Sequence, residues 1–439
     1  MSVPFIAAAL SFPLVLFPLF GYDINPAFLL APLIGWAFIK DFGQANFLYL
    51  LSFLFGIVSI LAANHISPDG VLERHFLSLV LIMFSPSFLF LGKYVAKSND
   101  ISRVLNWLSI FCSIFLIVIS FRILYLGEAV RIYLGPLGLA AMNAKFFNWP
   151  VFATFGVLSL AHLVCLQAMI ICGALIGGKA GLLSSVLMWV ALFCASFLIT
   201  GSESRSAQIL LMWILTSIVF YGVRNSGARY KSVVAFVVIL MAAGLAYSNG
   251  IEESRMLSSI EAIWENPTTQ GKPSEGVRLE KKVDQFTTGR IELAVEGIKE
   301  VIASPYVGNG FSSYGRYTST EVSFSLSQNT STHIYYLTLL WKGGLVFFVP
   351  FLIMILINLR SAIVGTMATE GSAERFFAWA AVLMAFGPMA LAWDILIVPS
   401  AGAVAFFLFG LLGGLKKSGV VSLTVGGASE LPCSVHCDT

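Results

Sequence analysis

Leu182-Leu-Ser-Ser-Val-Leu-Met-Trp-Val-Ala-Leu-Phe-Cys-Ala-Ser-Phe-Leu-Ile-Thr200 runs nineteen residues without an Asp, Glu, Lys or Arg. As an α-helix it extends about 28 Å, close to the roughly 30 Å hydrocarbon core of a bilayer. On both sides the polarity changes abruptly, with Lys179 before the run and Gly201-Ser-Glu-Ser-Arg205-Ser206 after it. A buried core helix of a soluble protein is seldom this long and this uniform, so the stretch reads as a membrane span.

Working outward, the same reading applies along the chain. Apolar runs fall at 4–20, 24–39, 46–63, 75–96, 104–126, 151–176, 182–200, 207–223, 232–248, 345–359, 377–396 and 400–415. The composition agrees. Of 439 residues 58% are hydrophobic and only 11% are charged, against about 25% charged in soluble domains. Mean hydropathy is +0.87. These figures exclude a water-soluble domain and a disordered chain. A net charge of +3 with no basic run gives no grounds for nucleic acid as a partner. The expected fold class is an all-α polytopic membrane protein of about twelve helices.

The first run has no basic segment ahead of it and no A-x-A cleavage site, so it reads as a retained helix. Four cysteines lie in apolar runs, and Cys433 and Cys437 flank His436 in the tail. That spacing reads as incidental rather than as a metal site, and no metal or other cofactor is expected.

Twelve spans place both termini on one side, and basic residues in short loops decide which. With cytoplasmic termini, the inside segments hold twelve basic residues and the short outside loops five. The expected orientation is N-in, C-in. The chain then divides into spans one to nine (1–248), a large outside loop (249–344), spans ten to twelve (345–415) and a cytoplasmic tail (416–439). A loop this long is functional or disordered. Part of it has helical periodicity: Ile291, Val295, Ile298 and Ile302 share one face and Glu292, Glu296, Lys299 and Glu300 the other. Such a helix can lie on the membrane surface or cover a cavity between spans. Ser304-Pro305 stops it, and Gly308-Asn309-Gly310 makes a turn.

Several residue patterns suggest chemistry. Gly173-x4-Gly178-Lys179-Ala180 approaches a phosphate-binding loop, but it lacks the Ser or Thr after Lys and the strand before the glycine, so a Gly-rich turn is the better reading. Asn329-Thr330-Ser331, a glycosylation tripeptide, carries no weight. Arg205 follows an apolar span, where a bare guanidinium needs a partner or water. It either snorkels to headgroups, paired with Glu203, or holds a phosphate through two oxygens. Arg290 opens the amphipathic helix, where a cation opposes the helix dipole and hints at an anion nearby. His333 precedes the tenth span on the outside, and its near-neutral pKa suits a general base. Arg122, Arg131, Lys342 and Asp394 are accessory candidates. His162 and Gln167, in the sixth span, read as interhelical hydrogen-bonding groups.

Three segments, in order, resemble the O-antigen ligase and polymerase superfamily of bacterial envelope glycosyltransferases. They are Ser204-Arg205; then Gly289-Arg290-x-x-x-Ala294-x-x-Gly297-Ile298 with Ser304-Pro305-x-x-Gly308-x-Gly310-Phe311; and His333-x-x-Tyr336-Leu337-x-x-Leu340-x-x-x-Gly344-Leu345. The last resembles the family's block of His followed by Asn, except that Ile334 stands where the family has Asn. The twelve-span layout with one large late loop is similar as well.

The resemblance implies transfer of a glycan from an undecaprenyl diphosphate carrier to a sugar hydroxyl, at the periplasmic face of the inner membrane and without metal. Arg205 and Arg290 would then be diphosphate ligands and His333 the base. The acceptor would be lipid A core in a ligase or a growing glycan in a polymerase. The single late loop leans towards the ligases. Between 249 and 344, however, eleven acidic residues oppose nine basic ones, which makes no basic funnel for a phosphorylated core. A transporter, built around Asp394, His162 and Arg122, is the alternative from another class. It predicts broken helices in two related halves, and no internal repeat supports that.

Overall fold

The computed structural model describes residues 2–12, 17–19, 22–24, 26–66, 72–126, 142–146, 149–153, 156–178, 181–202, 204–248, 290–311, 332, 334–367, 372–392, 394–397 and 399–415. Among them the fold is helical apart from two short hairpins. The helices are α1 (Val3–Ser11), α2 (Ala31–Lys40), α3 (Gln44–Ile66), α4 (Leu72–Ser98), α5 (Ile101–Leu126), α6 (Gly156–Gly177), α7 (Leu182–Gly201), α8 (Arg205–Arg224), α9 (Arg229–Ser248), α10 (Arg290–Ala303), α11 (Tyr335–Met367), α12 (Ala373–Met384) and α13 (Pro399–Gly413). Among the described residues nine helices are long and apolar enough to cross a membrane, and Pro26–Lys40 and Ala401–Gly413 are shorter apolar segments.

Local sequence explains where the helices depart from the apolar runs. Helix α1, in the first run, 4–20, ends at Ser11, because Pro13 disfavours helical geometry at Phe12. Phe17–Leu19 and Tyr22–Ile24 then pair antiparallel. The run expected at 151–176 starts in a second hairpin, Met142–Phe146 with Trp149–Ala153, and becomes helical at Gly156. In α11 a short helical segment from Tyr335 precedes the tenth run, and the long helix after the kink at Gly344 starts at the expected 345. The eleventh run passes through a π-helical stretch at Ala385–Met389, around Pro388, and ends at Ala392. Asp394 lies in the break before a 3-10 turn at Ile395–Ile397. Proline removes an N–H and crowds the preceding turn, which accounts for the irregularity.

The core is built around α6, nearly all of whose residues are buried, against α5, α7, α8 and α12. His162 and Gln167 are fully buried there, and the Gln167 amide donates to the Ser11 carbonyl at 3.1 Å, satisfying the end of α1. The most extensive pairing joins α4 and α13. Glycines permit it: a Cβ on Gly92 would strike the Phe407 carbonyl, and one on Gly410 the Leu89 carbonyl. Membrane helices gain little from the hydrophobic effect against one another, so close backbone approach is how they associate. On the periphery, α9 exposes Val233, Val237, Leu240, Met241 and Leu245.

Candidate functional site

The site is organised by a helix that breaks. Within α11, Gly344 has φ 64 and ψ −174, so the short segment from Tyr335 and the long span after Leu345 are separate helices. The break strands carbonyls before it and N–H groups after it, which cannot be left unpaired away from water. The loop after α10 satisfies them. Asn309 N–H donates to Trp341 O at 3.0 Å and Gly310 N–H to Lys342 O at 2.9 Å. In return Leu345 N–H donates to Pro305 O at 2.9 Å and Val346 N–H to Tyr306 O at 3.0 Å. The Ser59 hydroxyl of α3 donates to Gly343 O at 2.9 Å. The Ser304 hydroxyl closes the loop on Gly308 O at 2.9 Å.

This clamp accounts for the glycine spacing. Gly308 has φ 67, and a Cβ on it would lie 2.5 Å from Gly344 N; a Cβ on Gly344 would meet the Tyr306 carbonyl. Side chains rarely adopt that backbone region, and here there is no room for one.

The amphipathic helix α10 leads into the clamp. Its inner face is Gly297, Val301 and Ser304. A Cβ on Gly297 would fall 2.5 Å from Thr332 Cγ2, and Val301 packs on buried Trp341. Val295, Ile298 and Ile302 are 45%, 49% and 72% exposed. The apolar stripe therefore points away from the protein, which favours the membrane-surface reading over the cavity cover. Lys299 pairs with Glu296 at 2.9 Å on the polar side.

Beside the clamp lies a buried polar cluster. The Thr338 hydroxyl donates to Asp394 Oδ2 at 2.9 Å. Thr332 N–H donates to Thr338 Oγ1 at 3.0 Å, the two hydroxyls are 2.9 Å apart, and Thr332 Oγ1 donates to Ile334 O at 3.2 Å. Lys342 is buried with its ammonium 4.9 Å from the Trp341 ring centroid, and the Asp394 carboxylate is near enough to act on it. From α4, His75 Nδ1 accepts the Phe311 N–H at 3.0 Å. Burial, and then the cation of Lys342, push the His75 pKa down to about 4. At neutral pH it is an uncharged acceptor.

The structure thus brings Lys342 and Asp394 together. It also places the backbone of Arg205 at the start of α8, where the Ser204 hydroxyl accepts the Ala207 N–H at 3.3 Å, and that of Arg290 at the start of α10. The side chains of Arg205, Arg290 and Arg122 lie outside the described residues, as do His333 and Arg131 entirely. Thr332 and Ile334, flanking His333, are described, and at position 334 the contacts are made by backbone atoms.

Three contributors escaped the sequence reading: His75, Thr338 and Ser59. The charged Glu73-Arg74-His75 at the head of an apolar run was a signal for the first. A lone Thr or Ser within an apolar helix offers none.

Residues 190–352, from the middle of α7 to the start of the long span of α11, match the family model described as O-antigen ligase. No curated protein matches the chain. The matched segment holds all three ordered blocks, the broken helix and the clamp that locks it. This segment of the chain is therefore similar to the O-antigen ligase family, in agreement with the resemblance carried by the three blocks.

Proposed function

We propose that the protein is a bacterial inner-membrane glycan transferase that moves a glycan from undecaprenyl diphosphate to a sugar hydroxyl at the periplasmic face, in the manner of an O-antigen ligase. The single observation that carries this reading is the coincidence of family and architecture: residues 190–352 match the O-antigen ligase family, and the second and third blocks meet in one backbone-locked unit.

In this reading the guanidinium groups of Arg205 and Arg290 hold the donor diphosphate, and Arg122 and Arg131 are further anion contacts. His333 takes the proton of the acceptor hydroxyl as its oxygen attacks the anomeric carbon. The bond from that carbon to the diphosphate oxygen breaks, and undecaprenyl diphosphate leaves with the electron pair. Attack opposite the leaving group inverts the anomeric centre. Charge developing on the diphosphate is met by the arginines, so the step needs no metal. Asp394, through Thr338 and Thr332, is a positioning residue for the segment that carries His333, and Lys342 adds positive potential to the same cluster.

The surplus of acidic over basic residues in 249–344 favours a second reading, a polymerase of the same superfamily whose acceptor is a growing glycan rather than a phosphorylated core. Gel analysis of envelope glycan from a deletion strain separates the two. Long polymer retained on its lipid carrier identifies a ligase, and single repeat units identify a polymerase. An unchanged glycan profile overturns both.

A further inference from the structure

A second polar site lies at the opposite end of the helices from the clamp. The ends of four spans, Leu160–Gly177, Ser206–Arg224, Ser226–Ser248 and Ala373–Ala392, converge around an open cavity of about 520 Å³. Its lining includes Gly177, Arg224, Asn225, Lys231, Ser372 and Glu374. Helix α8 runs from Arg205 to Arg224, so roughly 28 Å of helix separates this cavity from the arginine of the candidate site.

Neither Arg224 nor Lys231 makes a side-chain hydrogen bond or ion pair among the described residues. Lys231 reaches across to the end of α6, where Gly178 has no Cβ to obstruct its ammonium. The Ser372-capped start of α12 adds N–H groups to the rim. Cations at the ends of membrane spans sit where lipid phosphates lie. Buried Glu374 lowers the formal charge of the lining from +2 to +1, which suits a singly charged phosphodiester better than a dianionic phosphate. Val223 and Tyr230, each beside one of the cations in sequence, are 73% and 80% exposed and offer apolar surface for acyl chains.

We infer that this cavity binds the phosphodiester headgroup of an anionic membrane phospholipid, held by Arg224 and Lys231. The site is independent of the transfer chemistry, and its test is a binding measurement. Purified full-length protein in detergent is presented with dioleoylphosphatidylglycerol, or with dioleoylglycerol as the phosphate-free control, and retained lipid is counted by native mass spectrometry. Wild type should keep one phosphatidylglycerol and no dioleoylglycerol. R224Q/K231Q should bind roughly 30-fold more weakly, about fivefold per cation. R360Q, a single charge loss on exposed α11 surface away from the cavity, should bind as wild type does. Rising salt should release the lipid from wild type, a readout that needs no variant.

Equal retention by wild type and the double variant overturns the inference, as does equal loss in R360Q, salt-insensitive binding, or retention of dioleoylglycerol. If soluble glycerophosphoglycerol displaces the lipid at equal concentration, the acyl chains contribute nothing and the lipid assignment fails.

Discussion

At the scale of single residues, His75 is the sharpest case because the Phe311 N–H it accepts ties its role to one charge state. Its imidazole must stay neutral to accept the Phe311 N–H, and protonation would break that bond and set a second cation near Lys342. The folded pKa of about 4 lies below the unfolded value near 6.5. Between those values the unfolded chain binds more protons, so this contribution is complete above about pH 6.5 and is lost as the pH falls towards 4. The melting temperature of the detergent-solubilised protein should therefore fall across this window by several degrees more in wild type than in His75→Asn, which offers an amide oxygen in place of Nδ1. Parallel pH curves would contradict the assignment. Thr338→Val deletes the link between Asp394 and Thr332 while keeping side-chain shape. It should lower kcat more than it raises KM, and Thr338→Ser should restore most of the loss. None of these links was legible in the sequence, since hydroxyls inside apolar helices acquire partners only through tertiary packing. Asp394 was legible because charge within an apolar run is rare, and Lys342 because it stands just ahead of Gly343-Gly344 at the head of the tenth run.

At the scale of elements, the broken helix α11 and its loop behave as one part. Gly344→Ala forces a side chain into a positive-φ, extended-ψ backbone that essentially only glycine adopts, which alone costs on the order of 1–3 kcal/mol. It also presses on the Tyr306 carbonyl. The variant should insert normally and lose most of its transferase activity, checked by membrane-fraction immunoblot beside a glycan gel. Retained activity would show that the clamp is dispensable. Helix α10 makes a separate claim. Its exposed Val295, Ile298 and Ile302 should contact lipid, so a fluorophore on Ile302→Cys should be quenched by brominated acyl chains in liposomes, and absence of quenching would place the stripe in water. The amphipathic period of α10 was plain from its residues, and Gly308-Asn309-Gly310 marked a turn. Which loop would fill the break was not readable, because those hydrogen bonds join backbone groups that carry no side-chain signature. The hairpin at 142–153 and the π-helical stretch near Pro388 were missed for a related reason: apolarity is the same whether a run is straight, kinked or extended.

At the scale of the whole molecule, hydropathy alone identified the membrane class, and each apolar run coincides at least in part with a helix. Sidedness rests on the distribution of basic residues. In a cysteine-free background, Tyr306→Cys should react with a membrane-impermeant maleimide in intact spheroplasts, and Asp100→Cys only after lysis. The reverse pattern would invert the topology and move the candidate site to the cytoplasm. The central claim is that His333, between the structured Thr332 and Ile334, activates a sugar hydroxyl against a donor held by Arg205 and Arg290. Its most direct test is reconstitution of purified protein in liposomes with an undecaprenyl diphosphate-linked glycan and a glycolipid acceptor, following transfer by gel. The account predicts transfer by wild type and a rate at least about 100-fold lower in His333→Ala, the scale of a lost general base. Transfer by His333→Ala at the wild-type rate would contradict it.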